Sequence, residues 1–210
     1  MTIDWVAWHD PYLDPDSPLS RRLRSVQRQI GVWLDETAPR EVMVLSLCAG
    51  DGRDLLGVLD TRNDARRVRA TLVEIVPELA DRARAAVGAA GLVDIDVHCA
   101  DAGTPEAYAG CPPADLVLLC GVLGNISDAD VEAVIAALPG YCAAGARVIW
   151  TRSRRSPDLT PQIRKWFSDN DFAEITFDAP EDVVTSVGVH ELTRRPGPAT
   201  RHTRLFAFVR

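Results

Sequence analysis

The chain has 210 residues, 47% of them hydrophobic and 25% charged, with a formal net charge of −7. That length holds one domain with a real core and is short for two. The acidic balance argues against a broad nucleic-acid surface, which needs clustered Lys and Arg.

The opening stretch MTIDWVAWHDPYLDPD has neither a basic lead nor an apolar signal core, and no run of about 18 apolar residues occurs anywhere. No membrane association and a cytoplasmic location are therefore expected. Trp5, Trp8 and Tyr12 are interrupted here by Pro11 and Pro15. Ser17-Pro18 then reads as an N-cap with proline at the first helical position. Leu19, Leu23, Val26, Ile30 and Trp33 follow at spacings of three and four, which predicts an amphipathic helix ending near Pro39.

Glu41 to Leu47 is a short apolar run suited to a central parallel strand. A glycine-containing turn follows, then a helix from Arg53 to Leu59. Val68 to Glu74 predicts a second strand, and Pro77 opens a helix that Gly88 or Gly91 closes. Ile95 to Cys99 predicts a third strand, with Asp101-Ala-Gly103 just past its end. Asp115 to Cys120 predicts a fourth. Ser127 and Asp130 form a capping box ahead of Val131, Val134, Ile135 and Leu138, and Pro139-Gly140 stops that helix. Ala146 to Thr151 predicts a fifth strand, and Thr160-Pro161 starts a helix carrying Ile163, Trp166 and Phe167. Three β-rich runs end the chain: Phe172 to Phe177, Val183 to Leu192 and Leu205 to Val209, the last two joined by a turn at Arg195-Pro-Gly-Pro198. The alternation predicts a doubly wound α/β fold, a mostly parallel sheet with helices on both faces, and the ending predicts an antiparallel edge. No linker or repeat divides the chain, so residues 1–210 read as a single domain.

In such sheets ligands bind outside the carboxyl ends of the strands. Those ends carry Ala49, Gly50, Asp51 and Gly52 after the first strand, Glu74 at the end of the second, Asp101 past the third, and Cys120, Gly121 and Val122 after the fourth, with Asn125 beyond. Two glycines permit close backbone approach. Glu74 lies about 22 positions after Gly52, near the offset of roughly 20 at which an acid accepts ribose hydroxyls. Asp101 is placed to accept an exocyclic amine of adenine, with the Ala102 amide as donor to the ring. Each feature has a plain reading too: a tight connection, a solvated strand end, an ordinary turn. A nicotinamide site would want a third glycine where Leu55 stands.

The segment VLSLCAGDGRDLL resembles the first motif of class I S-adenosylmethionine-dependent methyltransferases. Glu74 in TLVEIVPELADRAR is similar to that family's ribose-binding acid, with Ile75 beside it. Asp101 in HCADAG is similar to its adenine-binding acid, and DLVLLCGVLGNI resembles its fourth motif. The similarity runs in order from Val42 to Trp150. It implies a seven-stranded Rossmann-like fold, S-adenosylmethionine as cofactor, and cofactor contacts at the strand-end residues named above. Ser46 and Cys48 depart from the motif, at its usual acid and first glycine; the methionine amino group is then left to Asp51, Asn125 or a backbone carbonyl.

Methyl transfer from a sulfonium is an in-line displacement that needs alignment first and a base only for an acceptor whose proton must leave early. Residues 1–39 read as a lid and helical segment over the acceptor. Candidates there are His9, Tyr12, Asn125, Arg152 and His190, with His9, Tyr12 and His190 as possible bases. His9 and Tyr12 also read as surface packing, His190 as a core strand histidine, and Arg152-Ser-Arg-Arg155 as a solvated turn. No Asn-Pro-Pro-Tyr-type run follows the fourth strand, where Cys120-Gly-Val-Leu-Gly124 stands. A small-molecule acceptor is expected, with a non-catalytic S-adenosylmethionine-binding sensor or scaffold as the alternative. An aminopropyl transferase would want an early acid in CGVLGNISD. Cys48, Cys99, Cys111, Cys120 and Cys142 lack CxxC spacing, and His9, His98, His190 and His202 lack HxxxH or HxH spacing. Reduced thiols and no metal site are expected.

Overall fold

The computed structural model describes residues 3–194 and 204–209. Ser17 caps the first helix, its side chain accepting from the Ser20 amide, and α1 runs from Pro18 to Thr37. Strand β1 (Val42–Leu47) leads through the glycine turn into α2 (Arg53–Leu59). Next come β2 (Val68–Glu74), α3 (Pro77–Ala89), β3 (Ile95–Cys99), β4 (Ala114–Leu119) and α4 (Asp128–Ala137). The chain continues with β5 (Cys142–Ser153), α5 (Thr160–Asp169), β6 (Phe172–Asp178) and β7 (Thr185–Leu192).

The seven strands form one sheet in the order β3-β2-β1-β4-β5-β7-β6. The first five pair in parallel; β7 runs antiparallel to both β5 and β6. The sheet reverses direction of growth between β1 and β4, so the tips of β1, β2, β3 and β4 surround one crevice. Alternation along the central strands divides the core. Val42, Val44, Leu116, Leu118 and Ile149 meet Val26, Ile30 and Leu34 of α1 and Leu55 and Leu59 of α2 on one face. Leu45, Leu47, Val117, Leu119 and Trp150 meet Val131 and Ile135 of α4 and Ile163 and Phe167 of α5 on the other. No helix among the described residues is long and apolar enough to cross a membrane.

One predicted element is absent. The run Leu205 to Val209 forms no strand beyond a single bridge between Ile126 and Phe208. Its amides are taken elsewhere: Leu205 N donates to Gly103 O (2.7 Å) and Val209 N to Asn125 O (2.8 Å). The alternation that reads as a strand instead lays the segment across the tips of β3 and β4, with Leu205 and Phe206 buried. The turn predicted at Arg195–Pro198 lies outside the described residues. Strand β5 is longer than its apolar stretch because β4 and β7 pair along both of its edges.

Candidate functional site

The glycine turn is left-handed at three residues, with φ of 52° at Cys48, 59° at Gly50 and 76° at Gly52. The two glycines serve different neighbours. A Cβ on Gly52 would stand 2.7 Å from Leu56 Cδ1 and 2.8 Å from Leu72 Cδ2, so its bareness lets α2 pack on β2. A Cβ on Gly50 would stand 2.7 Å from His9 Nε2, so its bareness faces the crevice and what covers it.

Glu74, 5% exposed, turns back toward this loop. One carboxylate oxygen accepts from Gly50 N and the other from Val76 N, each at 2.8 Å. The side chain therefore ties the tip of β2 to the backbone of the glycine turn. Each oxygen keeps a second lone-pair direction. Past β3, Asp101 accepts from Gly103 N at 2.8 Å with one oxygen and from Arg204 Nη2 at 2.7 Å with the other.

Between these groups lies a cavity of about 250 Å³. Ala49, Gly50, Asp51, Glu74, Ile75, Asp101, Ala102, Cys120, Gly121 and Asn125 line it, which brings together ten of the residues singled out at the strand ends. Gly52 and Val122 do not line it. Gly52 is turned into the α2–β2 contact, and Val122 is wholly buried in the core.

His9 and Tyr12 line the cavity from the N-terminal side, on a short 3-10 stretch (Ala7–Leu13) that also presents Trp8; Trp5 lies just before it. Trp5 packs edge-on against Phe208, centroids 5.4 Å apart, so the segments before α1 and after β7 meet above the crevice. His9 Nδ1 lies 2.7 Å from Trp5 O. His190 belongs elsewhere. It is 1% exposed in β7, stacked on Phe167 at 4.4 Å, and accepts through Nδ1 from Trp150 Nε1 at 3.1 Å. It is a satisfied core histidine with no face on the cavity, contrary to the expectation that it could act there as a base. Arg152 also stands away from the cavity, donating to Leu123 O.

Sequence reasoning passed over several lining groups. Arg22 of α1 is buried beside the cavity, donates to the Tyr12 hydroxyl, and lies 5.6 Å from the Trp8 ring centroid. Its position midway between Leu19 and Val26 puts it on the buried stripe of the helix, and a cation on that stripe was the available signal. Asp54, in the first turn of α2, also lines the cavity. Burial pushes its carboxyl up against the opposing pull of Arg22. Burial pulls Asp51 the same way, but the Arg53 guanidinium, paired to both of its oxygens, outweighs this and holds the carboxyl low. Burial raises the Tyr12 hydroxyl to about 12 despite Arg22. Phe206 and Phe208 were hidden in a run that reads as a strand, and Arg204 stands just before it.

The donor set fits a nucleoside carrying an amino-acid tail. Acids stand at the adjacent tips of β2 and β3, the bare backbone of Gly50 at the neighbouring tip of β1, and a buried cation with two further carboxylates beyond. No cluster of three or more His, Cys, Asp or Glu side chains placed to hold a metal ion occurs among the described residues.

Solved structures share this architecture. Magnesium protoporphyrin IX methyltransferase from Synechocystis, solved with bound S-adenosylmethionine, superposes with a TM-score of 0.69 at 14% identity, over 90% of this chain and 91% of that one. The fold is that of the class I methyltransferases. An O-methyltransferase family 2 protein from Planctomyces limnophilus, in complex with apigenin, gives 0.62 at 17% identity, over 83% of this chain and 59% of that one. An RNA methyltransferase from Salinibacter ruber, in complex with S-adenosylhomocysteine, gives 0.55 at 17% identity, over 85% and 97%. The methyltransferase fold thus recurs here with acceptors of different classes. No protein-family model matches the sequence, nor does any curated protein.

Proposed function

We propose that the protein binds S-adenosylmethionine in the strand-tip cavity and transfers its methyl group to a small-molecule acceptor. The observation that carries this reading is the convergence of Glu74, Gly50 and Asp101 on one cavity from three successive strand ends. In it, Glu74 accepts the ribose hydroxyls through its remaining lone pairs while its existing bonds keep the glycine turn in place. Asp101 and the Ala102 amide read the adenine edge. Arg22 faces the carboxylate of the amino-acid tail, and Asp51, Asp54, Asn125 or a strand-end carbonyl its ammonium. Residues 1–39 serve as lid and supporting helix of a single domain, with Trp5, Trp8, His9 and Tyr12 closing over the reacting centre and excluding water.

When bound, S-adenosylmethionine supplies a methyl already activated by the sulfonium charge. The chain's contribution is then alignment of the acceptor and a dry cavity. A phenol holds its proton at neutral pH, and burial raises the Tyr12 hydroxyl further, to about 12, so it orients rather than deprotonates. His9 is the remaining base candidate at the cavity. A small acceptor is supported by the net charge of −7 and by the aromatic roof, which narrows the approach. Five free cysteines suit work in the reducing cytoplasm.

The engagement of the Tyr12 hydroxyl by Arg22 and of His9 Nδ1 at Trp5 O also favours a second reading, a protein that binds the cofactor without turning it over. One experiment separates the two. The purified protein is denatured and its supernatant examined by mass spectrometry for S-adenosylmethionine and S-adenosylhomocysteine; labelled donor is then offered with a metabolite pool and, separately, with RNA. Transfer to the metabolite pool supports the proposal. Binding without transfer to either pool supports the sensor reading, transfer to RNA corrects the acceptor class, and no binding at millimolar donor overturns both.

A further inference from the structure

The acid past β3 does not stand alone. Arg204, twelve positions beyond the end of β7, donates through Nη2 to Asp101 Oδ2 at 2.7 Å and through Nε to Phe206 O at 2.9 Å. Gly103 N fixes the other Asp101 oxygen at 2.8 Å, and Leu205 N closes onto Gly103 O at 2.7 Å. Phe206 O comes so near Gly103 that a Cβ there would collide with it. Both oxygens of Asp101 are thereby held, one from its own turn and one from a segment distant in sequence.

We propose that Arg204 is a positioning residue for Asp101, so that residues 204–206 complete the purine subsite and set its preference for a 6-amino over a 6-oxo ring. This rests on the cofactor reading above. A carboxylate accepts from an exocyclic amine only while ionised and turned toward it. With two oxygens it has about four acceptor directions. Gly103 and Arg204 take one each, fix the rotation of the group, and leave the others for the ligand. A 6-oxo purine would present an oxygen to that carboxylate and an N–H to the Ala102 amide, a mismatch at both contacts. A pair exposed to 49% on the Arg204 side chain and 34% on that of Asp101 contributes little to folding. Its loss should therefore appear in ligand discrimination and not in thermal stability.

The test is calorimetric titration of the full chain with S-adenosylhomocysteine and with S-inosylhomocysteine, its 6-oxo counterpart. Arg204→Ala is expected to weaken S-adenosylhomocysteine about tenfold while leaving S-inosylhomocysteine and the melting temperature unchanged. Arg204→Lys is expected to recover most of the loss. Gly103→Ala, whose Cβ would collide with Phe206 O and crowd Asp101 Oδ1 and Arg204 Nη2 while keeping both charged residues, is expected to reduce the same ratio. Equal losses for both ligands would assign Arg204 a structural role and overturn the proposal. So would unchanged or tighter binding of S-adenosylhomocysteine to Arg204→Ala, the latter making Arg204 a competitor of the purine. Glu74→Ala separates the levels of failure. If the wild type binds neither ligand, the cofactor reading falls. If the wild type binds, Glu74→Ala weakens both ligands, and Arg204→Ala leaves their ratio intact, only the role of Arg204 falls.

Discussion

The two halves of the sheet treat polar side chains in opposite ways. At the tips of β1 to β4, Glu74 and Asp101 are bonded to backbone amides of the turns beside them and still face a cavity. Between β5 and β7, His190 is bonded to Trp150, stacked on Phe167, and faces no cavity. The first half keeps polar capacity in reserve. The second uses it to fill a core. The position of a polar residue along its strand, at the tip or in the middle, separates the two uses better than its chemical type does.

The sharpest way to break this contrast is at the two glycines that serve it. Gly50→Val puts a branched side chain at a left-handed position and into His9. S-adenosylhomocysteine affinity should fall at least a hundredfold, roughly 3 kcal/mol, by calorimetry. The fold should survive, at about 1–3 kcal/mol of strain. Gly188→Ala does the reverse. Its Cβ would meet the Trp150 indole, so stability should drop by about 1–3 kcal/mol or more in denaturant unfolding, with affinity per folded molecule unchanged. Glu74→Ala should weaken S-adenosylhomocysteine by about 1.5–3 kcal/mol, the range for bonds to a charged group. An unaltered isotherm would remove Glu74 from the site.

His190→Gln sharpens the other half. Burial, only partly opposed by Glu174, pulls the imidazole down to about 4 from 6.5. Between those values the unfolded chain binds a proton that the folded chain does not. The stability owed to the neutral ring is thus complete above the unfolded pKa and is lost as pH falls toward about 4. His190→Gln should flatten this part of the stability-against-pH curve and leave ligand affinity alone; an unchanged slope would place the titration elsewhere. The smallest effect is expected from His9→Ala, a part-exposed ring, with stability within about 0.5 kcal/mol in thermal melts.

Much of this arrangement was legible in the sequence because strand tips in a doubly wound sheet are fixed by the order of elements. Apolar periodicity located β1 to β4, and the topology then had to bring Gly50, Glu74 and Asp101 together. The N-terminal aromatics were readable as cover for the same reason that they read as packing: nothing else in an acidic, proline-broken stretch could hold it down. Other parts were not legible. Leu205 to Val209 has the alternation of a strand, and acceptors offered by distant parts of the chain, the carbonyls of Gly103 and Asn125 and the Asp130 carboxylate, divert it across the crevice. Arg22 is local in sequence to a helix, but its role comes from Tyr12 and the cavity beyond it. Val122 follows the fourth strand in sequence order yet turns inward, since periodicity gives no orientation to a residue in a turn.

The most direct measurement is the calorimetric titration of S-adenosylhomocysteine into wild-type protein and Glu74→Ala side by side. Saturable one-to-one binding to the wild type, weakened at least tenfold in the variant, is the predicted result. Absence of binding to the folded wild type, or equal affinity in both proteins, would contradict an adenosyl site at the tips of these strands.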